Sequence, residues 1–135
     1  MRNIDLVAIE KFFVSSLPIV GNIATEPRLR PDLNNVAGLP FMTESDLGLT
    51  VLVNKNGAAV MKGTDLVASI GRLNELVVAK EYRGKGIASA LIVAWAKANP
   101  WYIPDGQMPR TAAGAAAYKK AWDSLKPFYT NLKSS

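Results

Sequence analysis

Residues 73–98, LNELVVAKEYRGKGIASALIVAWAKA, join an apolar stretch to a helical one through two glycines set among cations. Ahead of the glycines, Leu73, Leu76 and Val78 alternate with Glu75 and Val77, a pattern that suits a strand buried on both faces. Behind them, Ile87, Leu91, Val93, Ala94 and Trp95 fall on a helical repeat, with Ser89 and Lys97 left for the wetter side. Pro100 stops that helix. A plain turn would need at most one glycine, so the second asks for a reason. A strand that passes through glycines into a helix has the construction of a phosphate site, because the first helical N–H groups lack intrahelical partners and the helix dipole adds positive charge there. Gly84 and Gly86 let the backbone approach an anion without a Cβ in the way. Arg83 and Lys85 add full charges, the arginine with a fork matched to phosphate oxygens. Ala88 is small where the helix start lies near a ligand. A Walker loop needs Gly-Lys-Ser or Gly-Lys-Thr after its first glycine and four residues, and a dinucleotide fingerprint needs three glycines and a later acid; neither fits. On the residues alone, a helix-start turn with a solvated basic face stands beside phosphate binding.

The rest of the composition narrows the chemistry by subtraction. At 135 residues the chain reads as one domain, 1–135, able to bury roughly two thirds of its unfolded surface. Hydrophobic residues make up 49% and charged ones 20%, as in ordinary soluble domains. The formal charge of +5 suits an anionic ligand without naming one. There is no cysteine and no histidine. Thiolate nucleophiles, disulfides, Ser-His and Cys-His pairs, and imidazole or thiolate metal sites are therefore excluded, and no metal site is expected. Acid-base work falls to Glu, Asp, Tyr, Lys or water. Asp5, Glu10 and Lys11 interrupt the apolar N-terminal segment, so a cleaved leader is not expected, and no run is long enough to span a membrane. A cytoplasmic protein without membrane partners is the expectation.

Outward from the glycine turn the elements alternate. IDLVAIEKFFVSSL places Leu6, Val7, Ile9, Phe13, Val14 and Leu17 at roughly helical spacing and predicts a helix ending before Pro18. Residues 18–48 carry four prolines and little periodicity, long enough for an irregular stretch that unrecognised elements are expected inside it. LTVLV and AAVMK flank NKNG as a hairpin, with Gly57 expected to supply a positive φ. DLVASI follows Gly63. WYIPDG reads as one more short strand. TAAGAAAYKKAWDSL is a helix by its alanines with Thr111 as N-cap, ended by Pro127 before FYTNL, read as a last strand. The order predicts an α/β chain with one layer of sheet and helices on its faces.

The string VVAKEYRGKGIASALI resembles the acetyl-CoA-binding signature of the GNAT superfamily of N-acetyltransferases. Its core is Gln or Arg, two residues, Gly, one residue, then Gly or Ala, and Arg83, Gly84, Lys85, Gly86, Ile87 and Ala88 meet it in full. Val78 stands five residues ahead, where the family has an apolar strand residue, and Leu91 follows in the helix. The likeness covers residues 73–98, about a fifth of the chain. A weaker match lies downstream, where the family's Asn, Ala and Tyr spacing is met by Thr111, Gly114 and Tyr118. Thr111 replaces the asparagine, and Trp122-Asp123 replaces the usual Gly-aromatic pair.

The resemblance implies a mixed, mostly antiparallel central sheet with helices on both faces, and acetyl-CoA as the cofactor. It implies that the amides from Arg83 to Ser89, including Lys85, Ile87 and Ala88, cradle the CoA diphosphate, while the strand through Leu76, Val77 and Val78 pairs with the pantetheine arm as another strand would. In the family the sheet splays here, and an unpaired N–H near Val77 or Val78 would polarise the thioester carbonyl. The acceptor is then a primary amine, of a protein or a small molecule. A lysine-like amine ionises near pH 10.4, so it needs help to lose its proton. Glu75 is the candidate base, beside the reading of it as a salt-bridged strand residue. Tyr118, as the family's tyrosine does, would protonate the departing thiolate, beside the reading of it as a helix tyrosine that packs its ring and wets its hydroxyl. Arg110, Lys119 and Lys120 either flank the cleft or form a solvated helix face. The alternative is a catalytically inactive relative that binds CoA or a protein partner as a regulator. A nucleic-acid partner is not expected, because no basic stripe interleaves with aromatic residues.

Overall fold

The computed structural model describes residues 4–19, 26–27, 37–41, 48–71, 76–101 and 107–134. Among these residues it is a mixed α/β fold: a five-stranded antiparallel sheet, a separate two-stranded parallel pair, and three α-helices. The mixed class and mostly antiparallel sheet expected from the sequence are observed.

Helix α1, Leu6–Val14, starts where Asp5 accepts from the Ala8 N–H at 3.1 Å. Ile9, Phe12 and Phe13 form its buried face, whereas Val7 and Val14 are exposed. The helix stops short of the predicted end because Ser16–Pro18 leaves as strand β1, so Leu17 lies exposed on a strand and not on a helix face.

Strand β2, Ala37–Phe41, falls inside the prolyl stretch 18–48, where hidden elements were expected. It pairs with β3, Leu49–Asn54, whose Leu49, Val51 and Val53 are buried in alternation. The hairpin to β4, Gly57–Lys62, turns through Lys55 and Asn56, and the Asn54 carboxamide oxygen accepts from the Asn56 N–H at 2.8 Å. Gly57 does not supply the positive φ expected of it. It is already in the sheet, opposite Gly71, and a Cβ there would sit 2.4 Å from the Ile70 carbonyl oxygen. Close backbone approach, not turn geometry, requires glycine at this position. Between β4 and β5, Asp65–Gly71, it is Gly63 that turns with a φ of 61°. A register shift at Val60/Met61 then leaves Val67 as an extra residue on β5.

The edge strand is β6, Leu76–Val78, giving the order β2-β3-β4-β5-β6. Its three residues are half-buried, not the doubly covered strand the alternation suggested, because no strand covers its outer edge among the described residues. Register places Val51, Val60 and Ala68 in one row and Val53, Ala58 and Ile70 in the next. Helix α2, Ile87–Ala98, packs against β3 to β6 with Ile87, Leu91, Ile92, Trp95 and Ala96 buried. Ser89, expected on the wetter side with Lys97, is buried too, its hydroxyl bonded to the helix's own first turn, and Val93 and Ala94 are half-buried. Its far end is pinned where Asn99 Nδ2 donates to the Asn54 carbonyl at 3.2 Å.

Strand β7, Met108–Arg110, does not join the main sheet; it pairs in parallel with β1. The strand reading of WYIPDG places Trp101 in what is a turn, and residues 102–106 lie outside the described residues. Helix α3, Ala112–Ser134, continues through Pro127, so the expected break and final strand at FYTNL are replaced by helix. Proline in a helix interior costs about 3 kcal/mol. Here its ring is on the exposed side, while Tyr129 is buried and Phe128 and Leu132 pack against the core beyond it. Continuing the helix hides that apolar face, and the burial offsets the lost bond. Tyr118, Ala121, Trp122, Leu125 and Tyr129 share the buried stripe of α3, which packs on both α1 and α2. Phe13 stacks on Trp122 at 5.6 Å between ring centres, and Trp122 on Tyr129 at 6.3 Å. No helix of the described residues is long and apolar enough to cross a membrane.

Candidate functional site

The site begins with the open edge of β6. Ala79 donates its N–H to the Val67 carbonyl at 2.8 Å, back toward β5. Backbone groups of successive extended residues point to opposite sides, so the N–H and C=O of Val78 face the open edge. A contact confirms the direction, because Arg83 Nε donates to the Val78 carbonyl oxygen at 3.0 Å. Between the strand and the loop lies a single 3-10 turn, Lys80–Tyr82.

The loop then bends twice through the left-handed region, with φ of 78° at Gly84 and 79° at Gly86. Any other residue would be strained at either position. Gly86 is the N-cap of α2 and offers no side-chain oxygen, so the helix's first donors stay uncapped by it. The Ser89 hydroxyl turns back to donate to the Gly86 carbonyl at 3.2 Å. A Cβ at Gly86 would meet the Lys120 ammonium at 4.0 Å, which brings a cation from α3 to the same loop.

A second helix start opens on the same space. Thr111 Oγ1 accepts from the Gly114 N–H at 3.0 Å and caps α3. Between the two starts lies a cavity of about 470 Å³, walled by Leu76, Val77 and Val78 from β6, by Tyr82, Arg83, Gly84 and Ala88 from the loop and α2, and by Thr111, Ala113 and Gly114 from α3. One wall is a strand edge with main-chain groups to offer; the others are the two helix starts and the Arg83 side of the loop. That arrangement suits an elongated amide-bearing ligand with an anionic end.

Of the expected binding residues, Leu76, Val77, Val78, Arg83, Gly84 and Ala88 line this cavity. Lys85 is exposed on the loop beside it. Gly86 sets the bend, Ile87 is turned into the core at 1% exposure, and Ser89 is buried. Glu75 lies outside the described residues. Tyr82 and Ala113 carried no signal in the sequence; Thr111 and Gly114 carried only the imperfect downstream match.

Tyr118 sits elsewhere. It is 2% exposed, between α1 and α3, with Phe12 edge-on at 5.9 Å and Phe13 at 6.1 Å, and it is not among the residues lining the cavity. The Arg110 guanidinium lies 3.7 Å from its ring centre and 4.7 Å from that of Phe12. Burial pushes the Tyr118 phenol well above the usual tyrosine range, and Arg110 pulls the other way. Burial likewise lowers the pKa of Arg110. Arg110 is therefore part of the α1–α3 packing, with Nη1 donating to the Phe13 carbonyl at 3.4 Å, while Lys119 is exposed and Lys120 alone of the three reaches the loop.

Fold and site together define a mixed α/β protein with a cleft between an open strand edge and two helix starts. The chain matches no protein-family model, no curated protein and no solved structure.

Proposed function

We propose that the chain is an N-acetyltransferase of the GNAT kind, moving an acetyl group from acetyl-CoA to a primary amine by direct attack in a ternary complex. The observation that carries the reading is the outward-facing main chain of Val78, continuous with a loop that has two glycines at positive φ and an uncapped helix start. The loop amides would hold the diphosphate, with Arg83, Lys85 and Lys120 supplying charge. Leu76 to Val78 would align the pantetheine arm along the strand edge. Acetyl-CoA supplies an activated thioester when bound. Of the two strand amides considered for the oxyanion, alternation favours that of Val78. In this reading Glu75 takes the proton from the amine.

The proton returned to the thiolate is assigned to a tyrosine. Tyr82 borders the cavity and Tyr118 does not, so Tyr118→Phe and Tyr82→Phe, compared by turnover against pH, decide which one carries it. Isothermal titration with acetyl-CoA tests the binding half of the proposal, and a chain with no affinity for any CoA species overturns it. The burial of Tyr118 favours a second reading, a relative that binds CoA and regulates a partner without turnover. Titration that succeeds while a panel of protein and small-molecule amines is left unacetylated selects that reading.

A further inference from the structure

We infer that Arg83 is a specificity residue that opens the β6 edge only to carriers bearing a diphosphate; this rests on the acetyl-CoA reading above. The bond from Arg83 Nε to the Val78 carbonyl joins the two halves of the cleft, since Arg83 belongs to the glycine loop and Val78 to the strand edge. Both residues line the same cavity. The carbonyl that Arg83 holds is on the edge where an amide of a pantetheine arm would pair, so an incoming arm competes with the guanidinium for that position.

The competition has a direction set by the ligand. A guanidinium gains more from two phosphate oxygens, which it grips with paired N–H groups, than from one neutral carbonyl. A ligand with a diphosphate draws Arg83 off Val78 and frees the edge for its own arm. A thiol carrier without phosphate offers no such exchange and must displace the bond at its own expense. The loop thereby couples recognition of the anionic end to access at the acyl end. Arg83 is exposed, so changing it leaves the core intact.

Two substitutions separate the bond from the charge. In Arg83→Gln the carboxamide nitrogen stands the same number of bonds from the backbone as the arginine Nε, so the contact with Val78 is kept while the charge is removed. In Arg83→Ala both are lost. Binding is measured by ligand-observed NMR with CoA and with pantetheine, which has the arm but no phosphate. Both variants weaken CoA binding. Only Arg83→Ala tightens pantetheine, by about fivefold, the worth of one ordinary hydrogen bond. Equal pantetheine affinity in Arg83→Ala and Arg83→Gln overturns the inference and leaves the acetyl-CoA reading standing. A wild-type chain that binds neither ligand removes both.

Discussion

The two helix starts that face the cleft are built in opposite ways. Helix α3 begins under Thr111, whose hydroxyl oxygen takes the Gly114 N–H, so part of that end is closed by its own side chain. Helix α2 begins at Gly86, which has no side chain to close it, after a loop bent twice through the left-handed region. A helix that needs only to fold gains from a cap worth typically about 1 kcal/mol. Helix α2 forgoes the cap and adds two glycines, each more costly to order than alanine, so its first donors have no side-chain acceptor at Gly86. In the acetyl-CoA reading proposed above, α2 is the end that would meet the anion and α3 the wall opposite.

The largest effect should come from filling the open end. Gly86→Val forces a β-branched residue to a φ of 79°. We expect a stability loss of roughly 1–2 kcal/mol and a fall in acetyl-CoA affinity of more than about tenfold, read by thermal melting and calorimetry. Retained affinity would separate the loop from the ligand and dissolve the contrast between the two helix starts.

The next effect belongs to the body of α3. Burial pushes the Tyr129 phenol up to about 12, and Tyr118 is shifted in the same direction. Unfolded tyrosines ionise near 10, so the folded state holds protons that the unfolded state gives up. The stability these groups contribute is full below about pH 10 and is lost as pH rises toward 12, on the order of 2 kcal/mol for Tyr129. Denaturant titrations at pH 9 to 12 should show the decline, and Tyr129→Phe should flatten it.

Opening the closed end is a smaller change. Thr111→Ala removes the cap and should cost about 1 kcal/mol in denaturant unfolding, while acetyl-CoA affinity holds or rises because the Gly114 N–H is released toward the cavity. A loss of affinity larger than the loss of stability would make Thr111 a ligand contact. Smallest of all, Lys120→Ala should weaken CoA binding about twofold to threefold and lessen its salt dependence, as expected of a partly solvated charge.

How much of this was legible depended on how far each residue's role reaches along the chain. The glycine loop could be read because positive φ and a helix start are local matters, settled within Arg83 to Ala88. Gly63 and Gly57 mark the limit. Both sit at hairpin ends, yet one is glycine for its own dihedral and the other because the Ile70 carbonyl is 2.4 Å from where its Cβ would be. Proximity between strands is invisible to a string of letters. Tyr118 shows the same limit at the site, since its spacing from Thr111 suggested a cleft residue, whereas Phe12, Phe13 and Arg110 enclose it.

By itself the sequence determined the strand–glycine–helix unit, the presence of helix α2 and of the first part of α3, the β3–β4 pairing, and the exclusion of thiol and imidazole chemistry. These follow from dihedral preference, repeat period and composition, all of which act over a few residues or by absence. Tertiary structure alone decided that β7 joins β1, that α3 runs on past Pro127, and that the main chain of Val78 faces the cleft. Each of those outcomes turns on which surfaces meet, because burial and hydrogen-bond pairing are properties of neighbours in space.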